Sequence, residues 1–420
     1  MKILLKNVLI VDRESPFNNT INDIFIVNGI IKSITKNISE EADVVIDEPD
    51  NIVSLGWVDC FANFNDPGFE FNETLESGNN AALAGGFTEV FIVPNTQPVV
   101  HSKSQVEYIV QKAKQLPINI YALGCLTKNA EGKELAEMYD MYQSGSIAFS
   151  DGLNPVQSPG IFLKALQYVK AFNGIVIQMP IDKSIGSGGL MNEGIISTQL
   201  GLPGLPAIAE EIMIKRDIDL LKYTQSKLHI TGVSTAKSIE LIKEAKALGL
   251  QISCSVTPYH LFYCDEDLNN YDTNLKVNPP LRTKADMLAL RKAVMNSEID
   301  CIATHHLPYS NDFKICEFEH AKNGMIGLQT TFAVVNTVLP ELGISKLVNL
   351  FSNNAIHLFN LHKNSINIGS NANLTIFTRN NTSILNKENN KSKSSNSPFF
   401  NLELKGKIVG VISKNNFYKN

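Results

Sequence analysis

The chain lacks the patterns that usually announce a function. Its eight histidines form no HxH and no HExxH, so none of the common local zinc signatures is present. Its six cysteines form no CxxC pair. They are scattered, several of them inside apolar runs, and read as buried thiols in a reducing cytosol rather than as a disulfide framework. No run approaches the ~18 apolar residues of a membrane-spanning helix. The opening MKILLKNVLIVDRE is interrupted by Lys6 and has no small-residue cleavage site, so it does not read as a signal peptide. Basic residues are not in excess either. With 37 Lys and Arg against 42 Asp and Glu, the net charge is -5, which leaves no electrostatic footprint for nucleic acid or for an anionic membrane surface.

What remains is a long chain with ample core-forming residues, 420 in all and 44% hydrophobic, enough for one barrel-sized domain and a small one. Residues 2–10, 23–34 and 43–46 cluster β-formers between turn residues, and 373–378 and 406–413 do the same at the other end. The two ends are expected to build one small β-sandwich domain, 1–55 plus 366–420. Between them, eight apolar runs alternate with helix-like stretches: 57–62, 88–93, 118–125, 146–150, 174–178, 227–231, 251–256 and 299–304. One of these helices has an N-cap-like Thr235 followed by apolar residues at 239, 241, 242 and 245. Eight buried strands separated by helices predict a parallel (β/α)₈ barrel over 56–365, with loop insertions at 179–205 and 257–282. The polar tail 386–400 reads as a mobile surface loop.

In such a barrel the chemistry belongs at the C-terminal ends of the strands. That rim receives Asn63 and Asn65 after the first strand, Asn95 after the second, Asp151 after the fourth, Met179 after the fifth, Gly232 after the sixth, His260 after the seventh and the His305–His306 pair after the eighth. A catalytic zinc needs about three protein ligands and an open position. Asp151, His305 and His306, with Asp59 or His260, are the only material for one, and they are spread over several strands. Asp151 reads as a vestigial ligand or as a turn aspartate before Gly152. His305 and His306 read as a proton or metal site or as hydrogen-bonded histidines. Asn95 and Asn278 read as recognition amides or as loop-satisfying ones. His229 and His260 read as structural, and His101, His320, His357 and His362 carry no pattern. Gly186-Ser187-Gly188-Gly189 follows no GKS/T and reads as a flexible rim loop.

The motifs GWVDCFANFNDPG, ETLESGNNAALAGGFTEVFIVPNTQPV, AFSDG, GGLMNEGIISTQLGLPGLPAIAEEIMIKRDI, LHITGVSTAKSIELI, VTPYHL, YDTNLKVNPPLR and IDCIATHHLPYS resemble the dihydroorotases of the amidohydrolase superfamily. The type found with aspartate carbamoyltransferase is the nearest branch, and the likeness runs from about residue 2 into the tail. The resemblance implies an amidohydrolase (β/α)₈ barrel, the interconversion of carbamoyl aspartate and dihydroorotate, and one or two zinc ions. It also implies a ligand set that this chain has mostly lost. Phe61 and Asn63 stand at the two histidine positions of the family's Asp-x-His-x-His, where only Asp59 is kept. Met179 and Gly232 stand at the strand-5 and strand-6 histidines, and His305 at the aspartate that is both ligand and base. Of these six ligand positions, only Asp151 keeps the family's residue type. Of the substrate-contacting positions, Asn95, Asn278 and His306 match, whereas Asn65 replaces an arginine and Tyr309 a histidine. Phe61, Met179 and Gly232 offer zinc no suitable donor. The expectation is therefore an inactive homologue without a metal, cytoplasmic and homo-oligomeric, acting as a scaffold or regulatory partner of an aspartate carbamoyltransferase and retaining a pocket for a small acidic ligand. The alternative is a working cyclic amidohydrolase with a rebuilt zinc site in which Asp151 and His305 act.

Overall fold

The computed structural model describes residues 1–361 and 364–420; His362 lies outside them. Eight parallel strands run in chain order around a barrel: Trp57–Ala62, Phe87–Ile92, Asn119–Gly124, Ala148–Phe149, Val176–Gln178, Leu228–Thr231, Ile252–Val256 and Cys301–Ile302. Each falls within or one residue from a predicted run. The cause is burial on both faces: all six residues of Phe87–Ile92 and all five of Ile252–Val256 are buried, as a sheet covered by helices outside and side chains inside requires. A parallel bridge between Ala62 and His306 links the first strand to the segment following the eighth.

The intervening helices start where the sequence provides caps. Thr74 accepts from Ser77 N at 3.0 Å to open Leu75–Ala84, and Thr235 accepts from Ser238 N at 3.1 Å to open Ala236–Ala247. Such a cap stabilises a helix by ~1 kcal/mol.

Both termini meet in a second, eight-stranded sheet. Its path runs from Asn416–Lys419 through Glu403–Ser413, Leu374–Ile384, Ile52–Leu55, Lys2–Ile10 and Ile21–Val27 to Ile30–Thr35, with Val44–Ile46 paired beside Lys2–Ile10. The segment read as one run, 23–34, is in fact a hairpin. Asn28 (φ 49°) and Gly29 (φ 73°) turn the chain between its two strands. Both need left-handed backbone, which is what an Asn-Gly pair supplies.

Two cores result. Trp57, Phe87, Phe332, Phe351 and Phe377 pack ring to ring in the larger one, with centroids 4.7 to 6.3 Å apart. Phe377 comes from the terminal sheet, so the two sheets share this core. The smaller core lies within the terminal sheet, around Ile3, Leu5, Ile24, Ile376 and Ile412.

The tail 386–400 departs from the expected mobile surface loop in its second half, whereas 386–391 lies at the surface. Ser392, Ser394, Asn396, Ser397 and Phe399 are buried. Their small polar side chains find fixed partners: Ser394 Oγ donates to Asn72 O at 2.7 Å, and Asn396 Nδ2 to Leu307 O at 3.0 Å and Gly324 O at 3.1 Å. A polar composition left the segment looking solvated; hydrogen bonds to the barrel rim hold it down instead.

The candidate site at the barrel mouth

The rim is assembled where the first and eighth strands end. Asp59, fully buried, accepts from Thr304 N at 2.9 Å and from Thr304 Oγ1 at 2.5 Å. Burial raises its pKa and the Thr304 bonds oppose that rise. One turn of chain later, Asn63 N donates to His306 O at 2.8 Å. These bonds fix Phe61, Asn63, His305 and His306 around one cavity of about 200 Å³, which Met179, Asn278 and Tyr309 complete.

His305 lines it. Its ring lies against Phe61, centroids 4.5 Å apart and planes at 33°. Its Nε2 is 2.8 Å from Thr231 Oγ1, and Thr231 Oγ1 accepts from Ser255 Oγ at 2.9 Å. Burial pushes its pKa down to about 3, helped by the nearby His260 and His229. It is therefore a neutral imidazole at pH 7. The ring also occupies space that a side chain at position 232 would need: a Cβ built on Gly232 would lie 2.6 Å from His305 Cε1. Gly232 has φ 72° as well, where any other residue is strained. So the histidine at 305 and the missing side chain at 232 are two halves of one packing arrangement.

His306 points to a partner that sequence reasoning missed. Its Nε2 is 3.4 Å from Glu73 Oε2, and its Nδ1 accepts from Gly327 N at 3.1 Å. Glu73 also accepts from Ser77 Oγ, from Ser392 Oγ and from Lys393 N at 3.0 Å. Burial opposes its ionisation, but the bonds from His306 and the two serines outweigh it and hold the carboxyl below its usual range. The only local signal was an acid just ahead of a helix start, which usually reflects the helix dipole.

The other predicted residues are not brought to the cavity. The Asp151 carboxylate accepts from Leu126 N at 2.8 Å, Thr127 N at 2.9 Å and Thr127 Oγ1 at 2.5 Å, and burial raises its pKa to about 6. Asn95 ties the loop next to it, donating to Asp151 O at 3.1 Å and accepting from Leu153 N at 2.8 Å. Asn65 (φ 57°) donates to Pro308 O at 3.3 Å. His260 sits between Thr257 Oγ1 at 2.8 Å and the carbonyls of Pro279 and Pro280 at 3.1 Å. His229 lies between Ser253 Oγ at 2.8 Å and Ser255 Oγ at 3.0 Å. Burial lowers their pKa values to about 4 and about 3.

A zinc ion does not fit this donor set. Among the described residues, no three of His, Cys, Asp and Glu come together as a group able to hold a metal. Asp151 has its oxygens engaged with the Leu126–Thr127 backbone and hydroxyl, and His305 faces Thr231, so the two do not form a pair.

Residues 51–238 match the Dihydro-orotase-like family. The chain is 40% identical over 416 residues to a dihydroorotase of Caldanaerobacter subterraneus, covering 98% of this chain and 96% of that one. It is 36% identical over 414 residues to a dihydroorotase of Syntrophus aciditrophicus, covering 97% of each. Among solved structures, the L-hydantoinase (dihydropyrimidinase) of Arthrobacter aurescens superimposes with a TM-score of 0.87 at 21% identity, covering 100% of this chain and 96% of that one, a likeness of fold. With relatives this similar over nearly the whole length, the chain belongs to the dihydroorotase family.

Proposed function

We propose that this chain is a dihydroorotase homologue of pyrimidine biosynthesis that no longer hydrolyses and serves as a scaffold or regulatory subunit. One observation carries the reading: the cavity at the barrel mouth is lined by Phe61, Asn63, Met179 and a neutral His305, where cation-binding side chains would have to converge. Bound zinc lowers the pKa of water from ~15.7 to ~7 and so supplies the nucleophile at neutral pH. Without it the hydroxide population falls by roughly eight to nine powers of ten. A His–Asp general base would return only ~10²–10⁴, and here His305 and Asp151 do not meet.

The site departs from the family while the frame around it is intact. A kept frame is what a binding role requires. An aspartate carbamoyltransferase is the partner we propose, in a cytoplasmic homo-oligomeric assembly. No helix among the described residues is long and apolar enough to cross a membrane.

Two measurements test this. Elemental analysis of the purified full-length chain is expected to find zinc well below one ion per chain, with dihydroorotate turnover at background. Stoichiometric zinc with chelator-sensitive turnover sinks the proposal and restores the hydrolase. Mixing with the aspartate carbamoyltransferase of the same cell is expected to give co-elution on a sizing column, and separate peaks remove the partnership.

A further inference from the structure

Among the described residues, the cavity wall carries no buried lysine or arginine with which to pair an acid. Lys322 is the lysine in its wall, and it is exposed. Asn65 stands where the resemblance places an arginine, and its amide is engaged with Pro308 O. The buried imidazole in the wall, His306, is already engaged by the Glu73 carboxylate at 3.4 Å, so it offers an incoming anion no free charge. A carboxylate entering here would lose its water and find no buried counter-charge, which is strongly unfavourable.

The wall does offer neutral hydrogen-bonding groups without protein partners. Asn63 is 4% exposed; its Oδ1 accepts from Asn65 N at 2.8 Å, and its Nδ2 meets no acceptor among the described residues. His305 is 6% exposed; its Nε2 is held by Thr231, and its Nδ1 meets none. The Asn278 amide and the Tyr309 hydroxyl, on the same wall, are also unpaired among the described residues. Asn63 and His305 are buried and Asn278 and Tyr309 half-buried, and unpaired polar groups facing a cavity call for a ligand or water. The remaining wall is apolar, with Phe61, Met179 and Leu307, and about 200 Å³ admits one small ring rather than a drug-sized ligand.

We propose that this cavity binds a small, neutral, planar ring with amide or imide edges, in preference to the same ring bearing a carboxylate. Alternating N–H and C=O groups on such a ring complement the asparagine amides and the imidazole, and its flat face suits Phe61. The proposal rests on the reading that no zinc occupies the mouth, and it replaces the sequence-based expectation of an acidic ligand.

Calorimetric titration of the full-length chain tests it with two matched pairs of planar rings: uracil against orotate, and thymine against 5-methylorotate. Within each pair the ring is the same and the carboxylate is the difference. The neutral ring is expected to bind at one site per chain and at least roughly tenfold tighter than its acid. Asn278→Ala should weaken it roughly three- to tenfold, the effect of one neutral hydrogen bond. Its melting temperature should not change, because that amide has no protein partner to lose. Acids that bind as tightly as the neutral rings, or no saturable binding by any of the four, overturn the proposal. Zinc measured in the same preparation decides the metal-free reading separately, so the two failures are distinguishable.

Discussion

At the scale of single residues, His305 and Gly232 carry the sharpest consequence. Gly232→Ala would place a methyl 2.6 Å from the imidazole at a backbone angle of 72°. Left-handed strain costs ~1–2 kcal/mol and overpacking ~1–3, so a loss of about 2–5 kcal/mol is expected in urea unfolding. In a His305→Ala background only the backbone share should remain. Additive losses in that double-mutant cycle would show that the two positions do not share space. The imidazole also sets a pH signature. Its pKa falls from the ordinary 6.5 to about 3 on folding, so the unfolded chain binds more protons between those values and stability falls as pH drops through the window. His305→Phe removes a slope of up to ~1.4 kcal/mol per pH unit. Asp151 and Asp217, raised by burial to about 6 and about 7, act with the opposite sign. The test is therefore the difference between variant and parent, expected to move in the variant's favour between pH 7 and pH 4.5. A constant difference would mean that His305 is protonated alike in both states.

At the scale of elements, the segment 391–399 works as a clasp. Glu73 gathers Ser392 Oγ, Lys393 N and His306 Nε2, while Asn396 bridges Leu307 and Gly324 and its Oδ1 accepts from Tyr309 N at 3.0 Å. The rim loop that carries Tyr309 is thus positioned by residues nearly ninety places further along the chain. Glu73→Gln removes an ionised acceptor from four donors, Ser77 Oγ included, and losing such bonds costs ~1–3 kcal/mol locally. Amide exchange at 392–397 should quicken by at least roughly tenfold, while the barrel strands keep their protection. Unchanged exchange would mean that Glu73 does not hold the segment. The barrel strands were legible because burial on both faces leaves continuous apolar runs. The clasp was not, because serines and asparagines look alike in sequence whether water or a carboxylate satisfies them.

At the scale of the molecule, the last long strand ties the two cores together. Ile408 and Val411 of Glu403–Ser413 belong to the core shared with the barrel, and Val409 and Ile412 to that of the terminal sheet. A chain ending at residue 401 would leave both cores open. It is expected to be aggregated or non-cooperative in thermal melting, whereas a soluble truncated barrel with a sharp melt would show that the strand is dispensable.

The amino-acid sequence by itself determined the alternation of strand and helix, the gathering of the two ends into one β-domain, and the absence of zinc-ligating side chains at four of the rim positions. These follow from hydrophobic period, turn chemistry and side-chain type, which act over a few neighbours. Only the tertiary structure decided that Asp151 serves the Leu126–Thr127 loop, that Asn95 serves the loop at 151–153, and that His306 answers to Glu73. A buried polar group takes whichever partner the packed chain brings within reach, and that partner can lie hundreds of residues away.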